Sequence, residues 1–340
     1  MSDLMEGNNY HNYTENFQIC YKMISMNMTT PFGSEKVITQ HISDVDLKTY
    51  FVGFDINDGG ERVYRWKNII NCLQNVIPEF AFGYHQGTET SNTELLSKVC
   101  EAAKSIYKIK EFEETKKIYL NGTEISDDDI EKKYLKRGEF GELILHLLLR
   151  DFHETIPLLS KIHFKDTDGS PAHGFDAVHI QPKTKTLWLG ESKLYVDGKK
   201  GIRELIQDIK GHFKEDYLRR EFVLISKKVR PYKNIQEKEY WFNLMDKNTK
   251  LEDIFISLTI PLVCTYSSNN FTKYNDESLT EFINDYEKEV RGLKKYFDES
   301  NDHPLKTHLN IILLLFPVKC KNELVRRMHE KLDHLQKIED

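Results

Sequence analysis

The stretch "GFDAVHIQPKTKTLWLGESKLY", residues 174–195, decides the fold. Two apolar, β-forming runs flank the polar "QPKTKT", so they read as antiparallel strands joined by a tight turn. A register centred on Lys183 and Thr184 sets Asp176 directly opposite Glu191, with Cβ atoms about 5 Å apart. Side chains alternate along a strand, so Lys193 shares the face of Glu191. Three charged groups then meet inside a segment whose ends, Leu187, Trp188, Leu189, Leu194 and Tyr195, are those of a buried strand.

A bare charge is expensive there. Two adjacent carboxylates repel, and one takes up a proton unless a cation sits between them. Lys193 offsets part of that cost. A hard divalent cation offsets more, because Mg²⁺ takes oxygen ligands and is held by one or two carboxylates plus water and phosphate oxygens. The patch therefore reads as a Mg²⁺ site, for which Mn²⁺ can substitute, with an ammonium beside it to position or deprotonate a water or to balance phosphate charge. The bland alternative is a cross-strand ion pair on a half-exposed sheet, worth under about 1 kcal/mol.

Upstream, "KRGEFGELILHLLLRDF" (136–152) has a broad apolar helical face. "SDDD" at 126–129 supplies its expected N-cap and first-turn carboxylates, giving a helix from there to about Phe152. Glu139 and Glu142 lie three apart on one face, and Leu143 and Ile144 turn Glu142 the more inward. Downstream, "KGIRELIQDIKGHFKEDYLRR" (200–220) reads as a helix with Arg203, Gln207 and Lys210 in a polar stripe beside the site, and "EFVLIS" (221–226) as a strand. With "LLSKIHFK" (158–165) as the first of three strands, the order is α-β-β-β-α-β.

Outside this core, "FQICYKMISM" (17–26) and "TYFVGFDI" (49–56) read as strands, and "VYRWKNIINCLQNVI" (63–77) as a helix stopped by Pro78. Past residue 235 the pattern predicts a helix (238–247), a strand pair in "IFISLTIPLVCTY" (254–266), a helix (276–297), a strand (309–316) and a closing helix (319–337). The expected fold is α/β: a mixed central sheet flanked by helices, with N-terminal and C-terminal α/β extensions. Residues 1–125 form a mixed region of unassigned role. Residues 126–340 form the second unit, its core at about 130–230 and the C-terminal strands and helices completing it.

At 340 residues the chain suits two domains or one enlarged one, and 30% charged against 39% hydrophobic residues suits a folded protein. The net charge of −6 gives no global nucleic-acid signature. Locally, though, Lys199, Lys200, Arg203 and Lys210, with Lys214, Arg219, Arg220, Lys227, Lys228 and Arg230, make a basic segment that fits a phosphate-backbone track or plain solvated surface. Five scattered cysteines without a CxxC pair suit reduced thiols rather than disulfides or zinc. The polar, acidic N-terminus and the absence of a long apolar run lead us to expect a cytoplasmic protein without a membrane span. "KDTDGS" (165–170) reads as a turn, and His173 and His179 suit no zinc site. No GxxxxGK[ST] occurs, so an ATP-driven step would need a partner.

Glu142 on a helix, Asp176 in "GFD", Glu191-Ser192-Lys193 and a following helix bearing Gln207 resemble the PD-(D/E)xK nuclease superfamily, with Phe175 in place of the proline. More narrowly, "KRGEFGELILHLLLRDF", "HGFDAVHI", "LWLGESKLY" and "NIILLLFPV" resemble the HamA family, nuclease subunits of the Hachiman antiphage-defence system. The resemblance implies metal held by Asp176, Glu191 and Glu142, Lys193 acting on water, and cleavage of DNA to leave a 3′-hydroxyl. It also implies a partner helicase of the HamB kind and restraint until infection. Two other readings stay open: a silent nuclease-like module that binds DNA and gates or recruits the helicase, and a structural partner whose acidic patch mimics nucleic acid.

Overall fold

The computed structural model describes residues 30–84, 94–106, 138–160 and 174–338. Strands β1 (Ile38–Ser43), β2 (Leu47–Val52), β3 (Phe54–Ile56) and β4 (Arg62–Tyr64) lead into helices α1 (Trp66–Phe82) and α2 (Leu95–Ile106). Then come α3 (Glu139–His153), β5 (Ile156–Ser160), β6 (Ala177–Gln181), β7 (Thr186–Tyr195), α4 (Gly198–His212) and α5 (Glu215–Val229). The chain continues through α6 (Lys238–Leu244), α7 (Leu251–Ile256), β8 (Leu258–Ser267), α8 (Asn270–Lys273), α9 (Thr280–Ser300), β9 (Asn310–Val318) and α10 (Lys321–Lys337).

Seven strands form one mixed sheet in the order β1-β2-β9-β8-β7-β6-β5, and β3 and β4 form a separate hairpin. The central pairs β2–β9, β9–β8 and β8–β7 are parallel, and the outer pairs are antiparallel. Strand β8 is buried along nearly its whole length, as a parallel strand covered on both faces must be. The α/β class with a mixed sheet between helices is thus the observed one. β1 and β2 belong to the same sheet as β6 and β7.

Several local expectations change. "EFVLIS" lies inside α5, because Leu218, Phe222, Ile225 and Val229 repeat at helical spacing and all four are buried. The fourth core strand is β8, reached only after α4 and three further helices. "IFISLTIPLVCTY" is the end of α7 followed by this single strand, with Pro261 at its centre. The β7–β8 ladder has no pairing at Gly190 and Pro261, which removes the missing proline donor from consideration; a Cβ on Gly190 would sit 3.2 Å from Pro261 Cγ. Pro78 does not stop α1, which runs to Phe82 because Ile77, Glu79, Phe80 and Ala81 are all buried. "TYFVGFDI" splits at Gly53 into β2 and β3. The expected strand at 17–26, the helix start at 126–137, the end of "LLSKIHFK", "KDTDGS" and His173 lie outside the described residues. Among the described residues no helix is long and apolar enough to cross a membrane.

Helix α3 is buried continuously from Phe140 to Asp151. It is tied to its surroundings by charge as well as by packing. Glu79 of α1 accepts from Arg150 Nε at 2.7 Å and meets His146 Nε2 at 2.9 Å. Arg150 also donates to the Thr155 carbonyl at 2.6 Å, and Thr155 Oγ1 meets His179 Nδ1 at 2.8 Å. Asp151 accepts from the backbone and hydroxyl of Ser34. Burial and the neighbouring His146 and Arg150 hold His179 far below the usual imidazole range. Removing one partner of a buried pair strands the other, so we expect Arg150→Ala to cost about 3–5 kcal/mol in urea denaturation. A loss below about 1 kcal/mol would show that the network does not anchor α3.

Candidate functional site

The β6–β7 hairpin has the expected register, with Ala177 opposite Gly190, Val178 opposite Leu189 and Gln181 opposite Thr186. Asp176 stands at its open end and donates its backbone N–H to the Gly190 carbonyl at 2.9 Å. Asp176 Oδ2 accepts from both the backbone N–H and the hydroxyl of Ser192, each at 2.9 Å. The two faces of β7 are used differently. Ser192 and Leu194 lie against Gly141 of α3, where a Cβ would be 3.2 Å from Ser192 Oγ. Glu191 and Lys193 meet α4.

Glycine lets α4 come close enough to do this. A Cβ on Gly201 would fall 2.6 Å from Cys264 Sγ of β8, and one on Gly198 would fall 3.0 Å from the Tyr266 ring. Asp197 starts the helix by accepting from the Lys199 backbone N–H at 2.8 Å. Near its end, Asp208 Oδ2 lies 2.5 Å from Lys193 Nζ, and His212 Nδ1 lies 2.6 Å from Glu191 Oε1. The His212 ring stacks flat on Tyr217, with centroids 4.5 Å apart and planes at 11°, and Phe175 meets its edge.

Glu142 is buried beside Gly141 in the first turn of α3, while Glu139 is half-buried. Of the two helix carboxylates, Glu142 is therefore the one turned inward. Glu221 of α5 is a further buried carboxylate; a Cβ on Gly174 would lie 3.2 Å from its Oε2, which has no hydrogen-bond partner among the described residues. Burial holds Glu221 above the usual carboxylate range, with His212 and Arg220 pulling the other way.

The electrostatics follow from crowding. Burial and the Asp176 charge push Glu191 up to about 7, against the pull of His212. Burial opposes the charge on Lys193, but Asp208, Glu191 and Asp176 outweigh it and keep the ammonium above its ordinary range. Burial likewise opposes a charge on His212, and Glu191 more than restores it. Carboxylates thus outnumber the cations around Glu191. All are hard oxygen donors, the set that suits Mg²⁺ or Mn²⁺ rather than a softer metal. Among the described residues no three His, Cys, Asp or Glu side chains converge as a ready-made cage, and protein cations engage Glu191 and Asp208.

Gln207 is exposed. On the wheel of α4 it falls with Lys199, Arg203 and Lys210 on the flank away from Asp208 and His212. Lys199 lies over the Tyr296 ring of α9, Arg203 bonds the Tyr296 hydroxyl, and Lys210 pairs with Asp302. Lys200 is half-buried at the start of α4. The stripe expected beside the site is thus on the opposite flank, and Asp208 and His212 hold the inner position. Their spacing of four, next to the apolar Leu205 and Ile209, was the available signal.

A seven-stranded mixed sheet flanked by helices, with buried Asp176 and Glu191 and half-buried Lys193 on its β6–β7 hairpin, fits an α/β nuclease-like core. Residues 30–332 match the HamA family, and the chain belongs to it. It is a protein associated with Hachiman defence. No curated protein matches the chain.

The raised Glu191 has a consequence for stability. A carboxyl whose folded value exceeds its unfolded one contributes stability below about 4.5 that is lost as pH rises through about 7. In metal-free buffer we expect Glu191→Gln to match the wild type near pH 4.5 and to exceed it by roughly 2–3 kcal/mol at pH 8. Thermal melts across pH check this, and a variant less stable than the wild type at pH 8 would contradict it.

Proposed function

We propose that the protein is a Mg²⁺-dependent deoxyribonuclease that hydrolyses phosphodiester bonds in Hachiman defence and works with a helicase subunit. The observation that carries this reading is Glu191, buried in a core strand beside Asp176 and Lys193 and pushed up to about 7 by that burial and that neighbour. A fold keeps so costly a group where chemistry uses it.

Asp176, Glu191 and Glu142 would hold the cation. When bound, Mg²⁺ would polarise a phosphate oxygen and make a bound water more acidic. Ser192 fixes the Asp176 carboxylate through two hydrogen bonds, so that its orientation is set before any ligand arrives. Lys193 is held protonated, which suits it to stabilise charge building on the phosphate and to position a water. Arg220 lies exposed above the Tyr217 ring, where a phosphate backbone could pass the His212 stack. Lys227, Lys228 and Arg230 extend this basic surface along α5, while Lys199, Arg203 and Lys210 offer a second one on α4.

The second reading, a silent module that binds DNA and gates the helicase, draws on one observation: Glu191 and Lys193 are both already paired within the protein. Cleavage separates the two. With Mg²⁺ and plasmid, linear and single-stranded DNA, with and without the helicase, we expect Glu191→Ala and Lys193→Ala each to lose at least about a hundredfold in rate while staying folded and able to bind the partner. Full activity in both purified variants would overturn the assignment.

A further inference from the structure

The two motif residues are held by one element. Asp208 and His212 stand one helical turn apart on α4, and each takes one of them: Asp208 pairs with Lys193 at 2.5 Å and His212 with Glu191 at 2.6 Å. Neither contact is needed to build the helix, whose buried face is Ile202, Leu205, Ile206 and Ile209. The pairs are also asymmetric. The Glu191 side chain is 3% exposed and fixed in a core strand, whereas the His212 side chain is 24% exposed at the end of its helix. His212 is therefore the partner that can leave. Its ring rests on Tyr217 and against Phe175, a seat built from outside the strand.

We propose that Asp208 and His212 are positioning residues that hold Lys193 and Glu191 in a resting arrangement, with His212 as an internal counter-cation that must give up Glu191 Oε1 before a divalent cation can enter. This rests on the metal-site reading above. A buried carboxylate beside Asp176 needs a positive partner in the metal-free chain. His212 supplies it, so the chain folds without metal and the oxygen a metal would use is occupied. A cation entering the site then competes with His212, and the measured affinity is lower than that of the bare oxygen set by the strength of the contact it displaces.

Isothermal titration of the full chain with Mn²⁺, without DNA, tests this. We expect Glu191→Gln to abolish binding, His212→Ala to bind roughly tenfold more tightly than the wild type, and His212→Lys, which returns a cation, to fall back towards wild-type affinity. His212→Gln, of similar reach, replaces His212→Ala if melts show that variant unfolded. Unchanged or weaker binding in these neutral variants, with Glu191→Gln still abolishing it, would overturn the latch and make His212 a bystander or a ligand. Binding that survives Glu191→Gln in every background would instead remove the metal site, and the latch with it. In DNA cleavage, Asp208→Asn should change the rate and Asp208→Glu restore it; equal activity of all three forms would overturn the role of Asp208.

Discussion

The carboxylate of Glu191, held in a core strand, is the constraint on which the site depends. A central strand with both faces covered is the most rigid place this fold offers, and also the most hostile to charge. The structure meets that conflict with neighbours rather than with solvent. Asp176 is oriented by Ser192 from the adjacent residue, Lys193 is kept charged by Asp208, and His212 closes on Glu191 itself. Each depends on a close backbone approach. Gly141 lets α3 rest on Ser192, and Gly198 and Gly201 let α4 rest on β8. A methyl group at Gly201 would move α4 outward and carry Asp208 and His212 with it.

Helix α3 links this site to the rest of the molecule. Its first turn carries Glu142, while its last two turns carry His146, Arg150 and Asp151, which reach α1, the residues after the helix, and Ser34. Under the proposed metal site the charge at one end would serve the site, while those at the other end serve the fold. The two sets differ in how complete they are. Glu79 is held below the usual carboxylate range by His146 and Arg150 despite its burial, as a satisfied pair should be. Glu191 stays above that range despite His212, because its complete burial, and then the negative charge of Asp176 and Asp208, outweigh that partner. The same residue type is balanced in one place and, more deeply buried beside like charges, left in excess in the other.

The hairpin was legible in the sequence because a strand has a period of two and a short turn fixes its register; those rules placed Asp176, Glu191 and Lys193 without knowledge of any other element. Helix α3 was legible from its apolar face. What failed was arbitration between short apolar runs. "EFVLIS" has strand-like composition, and only the buried residues before and after it reveal the helical period. Pro78 misled because burial outweighed a local rule. Asp208 and His212 were missed because a polar residue on a helix points to no partner until the helix is docked. The wheel divides the polar residues of α4 between two flanks, but which flank faces the sheet depends on Gly198 and Gly201, whose importance appears only once β8 lies beneath them.

That division bears on how an acidic chain could handle nucleic acid. With a net charge of −6, attraction to phosphate has to be local. The basic residues of α4 are spent in part on Tyr296 and Asp302. On α5, Arg220 stays exposed over Tyr217, Tyr217 carries the His212 ring, and His212 holds Glu191. A continuous chain of contacts therefore runs from exposed positive charge to the buried carboxylate. A phosphate drawn to Arg220 would act on the stack that seats His212, and His212 is the movable member of its pair. Under the proposed DNA-binding role, attraction at the surface and release of Glu191 would be two ends of one contact path.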